Sequence, residues 1–179
     1  MCDGQVRELR GAGKRVREQE YLEIVRAKTG SLFGLCGRVG VETAGGAAEV
    51  GEALELFGER FGVAFQLADD ILDLVGSDGR SGKPEGGDVA EGKWTLPLIV
   101  AAEHGGAGVR ARLAGMVKAR ELREARELAE ATGAIAEAWS RVSDWLAAAR
   151  EALDRVPDSQ AKQALDSIAG ERFPSPVMR

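Results

Sequence analysis

The sequence predicts an all-α chain. Apolar residues recur at helical spacing along most of its length, and no alternating strand pattern of useful length interrupts them. Its 179 residues, 44% hydrophobic and 30% charged, suit one globular domain that buries roughly 70% of the surface its unfolded chain would expose. The reading takes residues 1–172 as that domain and 173–179, with Pro174 and Pro176, as a flexible tail.

Each element has a local reason. Glu18 to about Gly40 is a long helical stretch with apolar Leu22, Val25, Leu32, Leu35 and Val39. Ala47 to about Val75 is a second, on which Phe57, Phe61 and Phe65 fall on one face at i, i+4 and i+8. Asp78 to Gly92 reads as a loop, because glycines recur from Gly76 onward with Pro84 among them. Thr95 is placed to cap the next helix, with Pro97 in the first turn where a missing N–H is tolerated. That helix is expected to end at His104, before Gly105-Gly106. Val109 to Thr132 carries a Leu/Ala/Arg/Glu pattern broken at Gly133, and Ala134 to about Val156 is amphipathic with Trp139, Trp145 and Leu146. Pro157-Asp158-Ser159 ends it and caps a short helix from Gln160 to about Ala169.

Composition excludes several function classes. A net charge of −5 argues against a nucleic-acid partner or an anionic membrane surface. Cys2 and Cys36 cannot build a disulfide framework or a four-ligand zinc site, so a reducing, cytoplasmic setting is expected. One histidine, His104, leaves no Ser-His-Asp triad or multi-histidine metal site. No secretory signal is read at the N-terminus, and the longest apolar runs, such as Leu96 to Ala102, are too short for a transmembrane segment.

Three aspartates, Asp69, Asp70 and Asp73, crowd the end of the second long helix. Asp69 and Asp73 are i, i+4 neighbours at the helix's negative end; with the poor helix propensity of Asp, the total cost is on the order of 2–3 kcal/mol. A bound cation would remove the repulsion, and hard oxygen ligands at this spacing suit Mg²⁺ completed by water and a phosphate. A solvated acidic face is the alternative. Gly82-Lys83-Pro84, then Gly86-Gly87-Asp88 and Glu91-Gly92-Lys93, follow. Glycines let backbone approach a phosphate, and Lys83 and Lys93 supply charge, although a plain linker has the same composition. Lys28-Thr29 sits in a small, apolar stretch, where a lysine either needs a partner or snorkels. Gly30, Gly34, Gly37, Gly58 and Gly62 cost roughly 0.8–1 kcal/mol each inside helices, and either close helix packing or room for a ligand would explain them.

These residues resemble the trans-isoprenyl diphosphate synthases, or polyprenyl synthetases, specifically their C-terminal half, from about Cys2 to Ala169. Cys2-Asp3-Gly4-Gln5 resembles the start of the family's Gly-Gln helix, and Tyr21 to Thr29 its Lys-Thr helix. Phe65 to Asp73 resembles its second aspartate-rich motif, and Gly82 to Asp88 with Glu91 to Pro97 its diphosphate loop and following helix. Pro157-Asp158-Ser159 resembles the turn before its last helix. The resemblance implies an isoprenoid synthase-type helical bundle. It implies that Asp69, Asp70 and Asp73 serve Mg²⁺, with Asp69 a direct ligand, and that Lys28 and Lys83 contact an allylic prenyl diphosphate while Lys93 supports. It further implies that Gln66, the Lys28 carbonyl and the Thr29 hydroxyl face the allylic cation that isopentenyl diphosphate attacks.

One departure matters. Asp3 is the only aspartate before Asp69, so the family's first aspartate-rich motif and the basic residues that hold isopentenyl diphosphate have no counterpart here. The break falls where a family helix begins. The expectation is therefore a subunit of a split trans-prenyltransferase, active with a protein partner carrying the first motif, in a two-plus-two heterotetramer. The alternatives are a regulatory or scaffolding subunit of a complete synthase, and, less well matched because a Gly-Lys-Pro loop follows the aspartates, a terpene cyclase fragment. A lone half is expected to leave apolar helix faces uncovered.

Overall fold

The computed structural model describes residues 2–11, 13–76 and 86–170, so Lys83, the Gly82-Lys83-Pro84 stretch and the tail at 173–179 lie outside the described residues. Ten α-helices with a π turn and a 3-10 turn make up these residues, and no strand occurs among them: α1 Cys2–Gly11, α2 Glu18–Val25, the π turn Arg26–Gly30, α3 Ser31–Thr43, α4 Ala48–Val75, α5 Gly87–Ala90, α6 Leu96–His104, α7 Gly106–Ala119, α8 Leu122–Ala131, α9 Ala134–Ala152, the 3-10 turn Leu153–Arg155 and α10 Gln160–Ala169. The all-α prediction holds, and His104 ends α6 as expected.

The 28-residue α4 is the axis, packed against α3 along one side and α9 along another. Leu67, Ile71 and Leu74 of α4 meet Leu98 and Ile99 of α6, Leu113 and Val117 of α7, and Trp139 and Val142 of α9 in the main core. Every residue of α6 from Leu96 to Ala102 is buried, as a helix that is apolar all round requires. A second cluster joins Ala53 and Phe57 to Ala149, Leu153, Val156 and Ala169.

Two local expectations need correction. Thr95 occupies the N-cap position of α6, but its side chain makes no capping bond. Pro97 has no N–H, and the Leu98 N–H is taken by the Thr95 carbonyl at 3.0 Å, so the hydroxyl has no nearby donor left to accept from. The Val109–Thr132 pattern is also not continuous. Arg120 is left-handed at φ 63°, its N–H donating to Val117 O and that of Glu121 to Met116 O, which closes α7 without a glycine. Ser159, by contrast, caps α10 as expected, accepting from the Lys162 N–H at 3.1 Å.

The glycines of the π turn, α3 and α4 serve close packing. A Cβ at Gly34 would stand 2.9 Å from Glu55 O, one at Gly30 3.0 Å from Glu59 O, and one at Gly62 3.0 Å from the Gly30 Cα. At Gly37 and Gly58 it would strike the carbonyls of Leu54 and Phe33. The opposite face of α3 is uncovered: Leu32, Leu35 and Val39 are 38%, 55% and 46% exposed, with Cys36 exposed between them, a stripe at i, i+3, i+4 and i+7. Phe65 of α4 is also exposed, stacked at an angle on Phe33 with ring centroids 5.8 Å apart.

Candidate active site

The site forms where α1, the π turn and the C-terminal half of α4 meet. A π turn carries one residue more than an α-turn and leaves local carbonyls without the usual i−4 donors, an arrangement that recurs at functional sites. Here it spans Arg26–Gly30 and so presents Lys28 and Thr29. It is held from outside by α1. A Cβ on Gly4 would lie 2.8 Å from the Lys28 Cα, so only a glycine lets α1 cross the turn at this distance.

Four side chains form one hydrogen-bonded chain. Thr29 donates its hydroxyl to Gln66 Oε1 at 2.8 Å. Gln66 Nε2 donates to Asp70 Oδ1 at 2.8 Å. Tyr21 Oη donates to Asp70 Oδ2 at 2.6 Å. The Gln66 amide is therefore fixed in both position and sense, and both oxygens of Asp70 are engaged. Asp70 is 7% exposed. Burial pushes its pKa up to about 7, with the Asp88 charge adding to the effect and the bonds from Tyr21 and Gln66 opposing it. Tyr21, the chain's single tyrosine, is pushed well above its ordinary value by burial and then by the Asp70 charge.

The other two aspartates do different work. Asp73 accepts from the Gly87 N–H at 3.1 Å and the Asp88 N–H at 3.0 Å, and so ties α4 to the first turn of α5. Asp69 is exposed and, among the described residues, has no hydrogen-bond or ion-pair partner. The trio is thus one solvent-facing carboxylate and two that organise the fold around it.

Lys28 and Lys93 meet over Glu8 of α1. Lys28 Nζ lies 2.8 Å and Lys93 Nζ 3.7 Å from the Glu8 carboxylate, which also accepts from Gln5 Nε2 at 3.1 Å. Lys93 further pairs with Glu91 at 2.8 Å and Asp88 at 3.2 Å. Burial alone would lower the Lys93 pKa, but Glu91, Asp88 and Glu8 together hold it above the usual lysine value. The Asp88 carboxyl is raised, chiefly by burial. Glu8, Tyr21, Asp88 and Glu91 carried no role in the sequence reading. Glu8 had a usable signal: it follows Gln5 by three residues on one helix face, and Lys28 needed a buried partner.

Tyr21, Lys28, Gln66, Asp70, Lys93 and Glu8 line one cleft of about 30 Å³, room for a water molecule, so a larger ligand meets these groups at the rim. Among the described residues no three carboxylate, histidine or cysteine groups gather into a cage for a metal. The donor set instead fits an ion held by one or two carboxylates and completed by water and substrate phosphate, which is how Mg²⁺ binds. Asp69 is the group available to it.

Known proteins match the sequence and the fold. The polyprenyl synthetase family model matches residues 1–135. The nonaprenyl diphosphate synthase of Mycobacterium tuberculosis is 40% identical over 173 residues, covering 94% of this chain and 52% of that protein. Among solved structures, a polyprenyl synthase from Caulobacter crescentus, complexed with calcium and isoprenyl diphosphate, superposes with a TM-score of 0.87 at 34% identity, covering 94% of this chain and 53% of that one. A decaprenyl diphosphate synthase from Rhodobacter capsulatus gives 0.86 at 31% identity, covering 97% and 56%. The chain spans about half the length of the curated relatives it matches. With its residues matched over most of their length and its helices superposing on those of solved synthases, the chain belongs to the polyprenyl synthetase family.

Proposed function

We propose that this chain supplies the allylic half of a trans-prenyl diphosphate synthase site, elongating an allylic prenyl diphosphate with isopentenyl diphosphate together with a second subunit. The Thr29–Gln66–Asp70–Tyr21 chain beside Lys28 and Lys93 carries the reading, because it fixes polar groups at the point where a diphosphate would leave.

In this reading Lys28 and Lys93 meet the diphosphate, with Lys83 completing the cationic set. Displacement by a phosphate oxygen would release Glu8 from both ammonium groups. Asp69 holds Mg²⁺ directly, while Asp73 fixes the α4–α5 corner and Asp70 fixes Gln66. When bound, the Mg²⁺ supplies charge that stabilises the leaving diphosphate. The Gln66 carbonyl and the Thr29 oxygen present lone pairs to the carbon that becomes cationic, and their geometry is set before reaction, so little reorganisation accompanies it. The uncovered Leu32, Leu35 and Val39 stripe with Phe65 supports a partner that closes the site and brings the first aspartate-rich motif, in a two-plus-two assembly.

The test is an elongation assay with Mg²⁺, an allylic diphosphate and isopentenyl diphosphate, on the chain alone and with its candidate partner. Activity is expected only in the mixture, and Asp69→Ala is expected to lower it by roughly a hundredfold with helical content unchanged. Robust elongation by the chain alone would overturn the two-subunit part. A partner fully active by itself and merely tuned by this chain would establish the regulatory alternative.

A further inference from the structure

The connection between α1 and α2 carries three cations within four residues, Lys14, Arg15 and Arg17, in a chain whose net charge is −5. All three are exposed, and among the described residues none forms an ion pair. Val16 between them is 7% exposed and packs into the main core. The backbone is fastened on both sides: the Gly13 N–H donates to Gly92 O at 2.8 Å, and the Tyr21 N–H donates to Arg17 O at 3.0 Å. The cations thus project from an anchored turn, which reduces the ordering cost of binding.

They surround a cavity of about 650 Å³, within the range of small-molecule sites. Lys14, Arg15 and Arg17 line it together with Arg7, Glu20 and Glu23. Gly11, Val16 and Ile24 form a wall shared with the cleft of Lys28, Gln66, Asp70 and Lys93. The two neighbouring sites differ in charge. The lysines of the cleft are already compensated by Glu8, Asp88 and Glu91, whereas Lys14, Arg15 and Arg17 are not.

We propose that this cavity is a second, metal-independent binding site for a diphosphate group, beside the cleft and separate from Asp69. Guanidinium groups bind phosphate oxygens bidentately, and Arg15 and Arg17 bracket the buried Val16, so they reach the cavity from one turn. Three cations on one turn, none in an ion pair among the described residues, suit a compact polyanion. The open mouth admits a diphosphate that is free or carries an organic tail. The site lies within reach of the lysine cleft and would concentrate an anionic ligand there.

Isothermal titration of the purified full chain with inorganic diphosphate, in excess chelator, tests it. One diphosphate per chain is expected to bind. The double substitution Arg15→Ala with Arg17→Ala should weaken binding at least tenfold, with the circular dichroism spectrum retained. Asp69→Asn and Lys28→Ala should change it less than twofold, which separates this site from the proposed active site. Raising salt from about 50 to about 500 mM should weaken it more than tenfold, as the Debye length contracts. No binding by the parent chain, binding unaltered in the double variant, or binding lost with Lys28→Ala would each overturn the proposal. So would a chain that ignores free diphosphate but loses attachment to anionic phospholipid vesicles in the double variant, since the cations would then serve a membrane surface.

Discussion

Gly58→Ala tests the packing that positions the site. A Cβ there would strike the Phe33 carbonyl oxygen and stand 2.6 Å from its carbon and 2.9 Å from the Gly34 nitrogen. These are backbone atoms of α3, so no side chain can rotate away. The substitution itself favours the helix by about 1 kcal/mol, since alanine is the better helix former. Against this, α3 must retreat from α4 along their shared length, and overpacking of this kind costs about 1–3 kcal/mol, with a backbone obstruction at the upper end. The net is a loss of about 2 kcal/mol, or about 4–8 °C in Tm for a domain of this size. Gly40→Ala is the internal control. Gly40 lies in α3, the partner helix, with nothing within 4 Å of its added Cβ, so propensity acts alone and stabilises by about 0.5–1 kcal/mol. Thermal and urea melts followed by far-UV circular dichroism read both. A Gly58→Ala protein melting at or above the parent would refute the close-packing account and return these glycines to a ligand-space role.

Three further outcomes follow from the buried network and the caps. Tyr21→Phe removes the donor to Asp70 Oδ2 and should cost about 1.5–3 kcal/mol in urea denaturation; a cost near zero would mean that the bond does not hold the carboxyl. Asp70 titrates at about 7 when folded and near its ordinary 3.8 when unfolded, so the folded protein binds this proton more tightly. Its stabilisation is complete below about pH 4 and is lost as the pH rises through about 7, with Asp88 shifted in the same direction, so stability should decline across that window and Asp70→Asn should flatten the decline. Ser159→Ala should cost about 1 kcal/mol and speed amide exchange at Lys162; unchanged protection there would show that the cap is idle.

The helices were legible in the sequence because their signals are local. Pro157-Asp158-Ser159 and the His104-Gly105 end of α6 act within one turn of the chain, and both ends fall where the residues put them. Thr95 shows the limit of that logic. A good capping residue is idle when Pro97 and a backbone bond remove its donors. The break at Arg120 was illegible for a related reason: a left-handed helix end usually advertises itself with glycine, and here two backbone bonds hold an arginine in that conformation. The π turn at Lys28 has no local code either. It arises where α1 presses Gly4 against the Lys28 backbone, a contact between segments more than twenty residues apart.

The aspartates show how much of the site a close reading can reach. A helix turns about 100° per residue, so Asp69 and Asp73 share a face while Asp70 points elsewhere. Spacing alone made them a trio. The apolar pattern around them says more: Leu67, Ile71 and Leu74 are a core stripe, and Asp70 occupies its i+3 position, between Leu67 and Ile71. A carboxyl placed in a core stripe requires buried donors or protonation, because burying it unpaired is costly. The chain has one tyrosine, Tyr21, and it lies on α2, which runs directly into the π turn that carries Lys28 and Thr29. The pairing that fixes Gln66 was therefore written in the residues as a conflict between charge and burial, which the tertiary fold resolves by bringing Tyr21 and Gln66 to the two oxygens of Asp70. Asp69 stays exposed and has no hydrogen-bond or ion-pair partner among the described residues. In the proposed function that exposure makes Asp69 the member of the trio that takes the metal ion, while the two committed carboxyls hold the geometry around it.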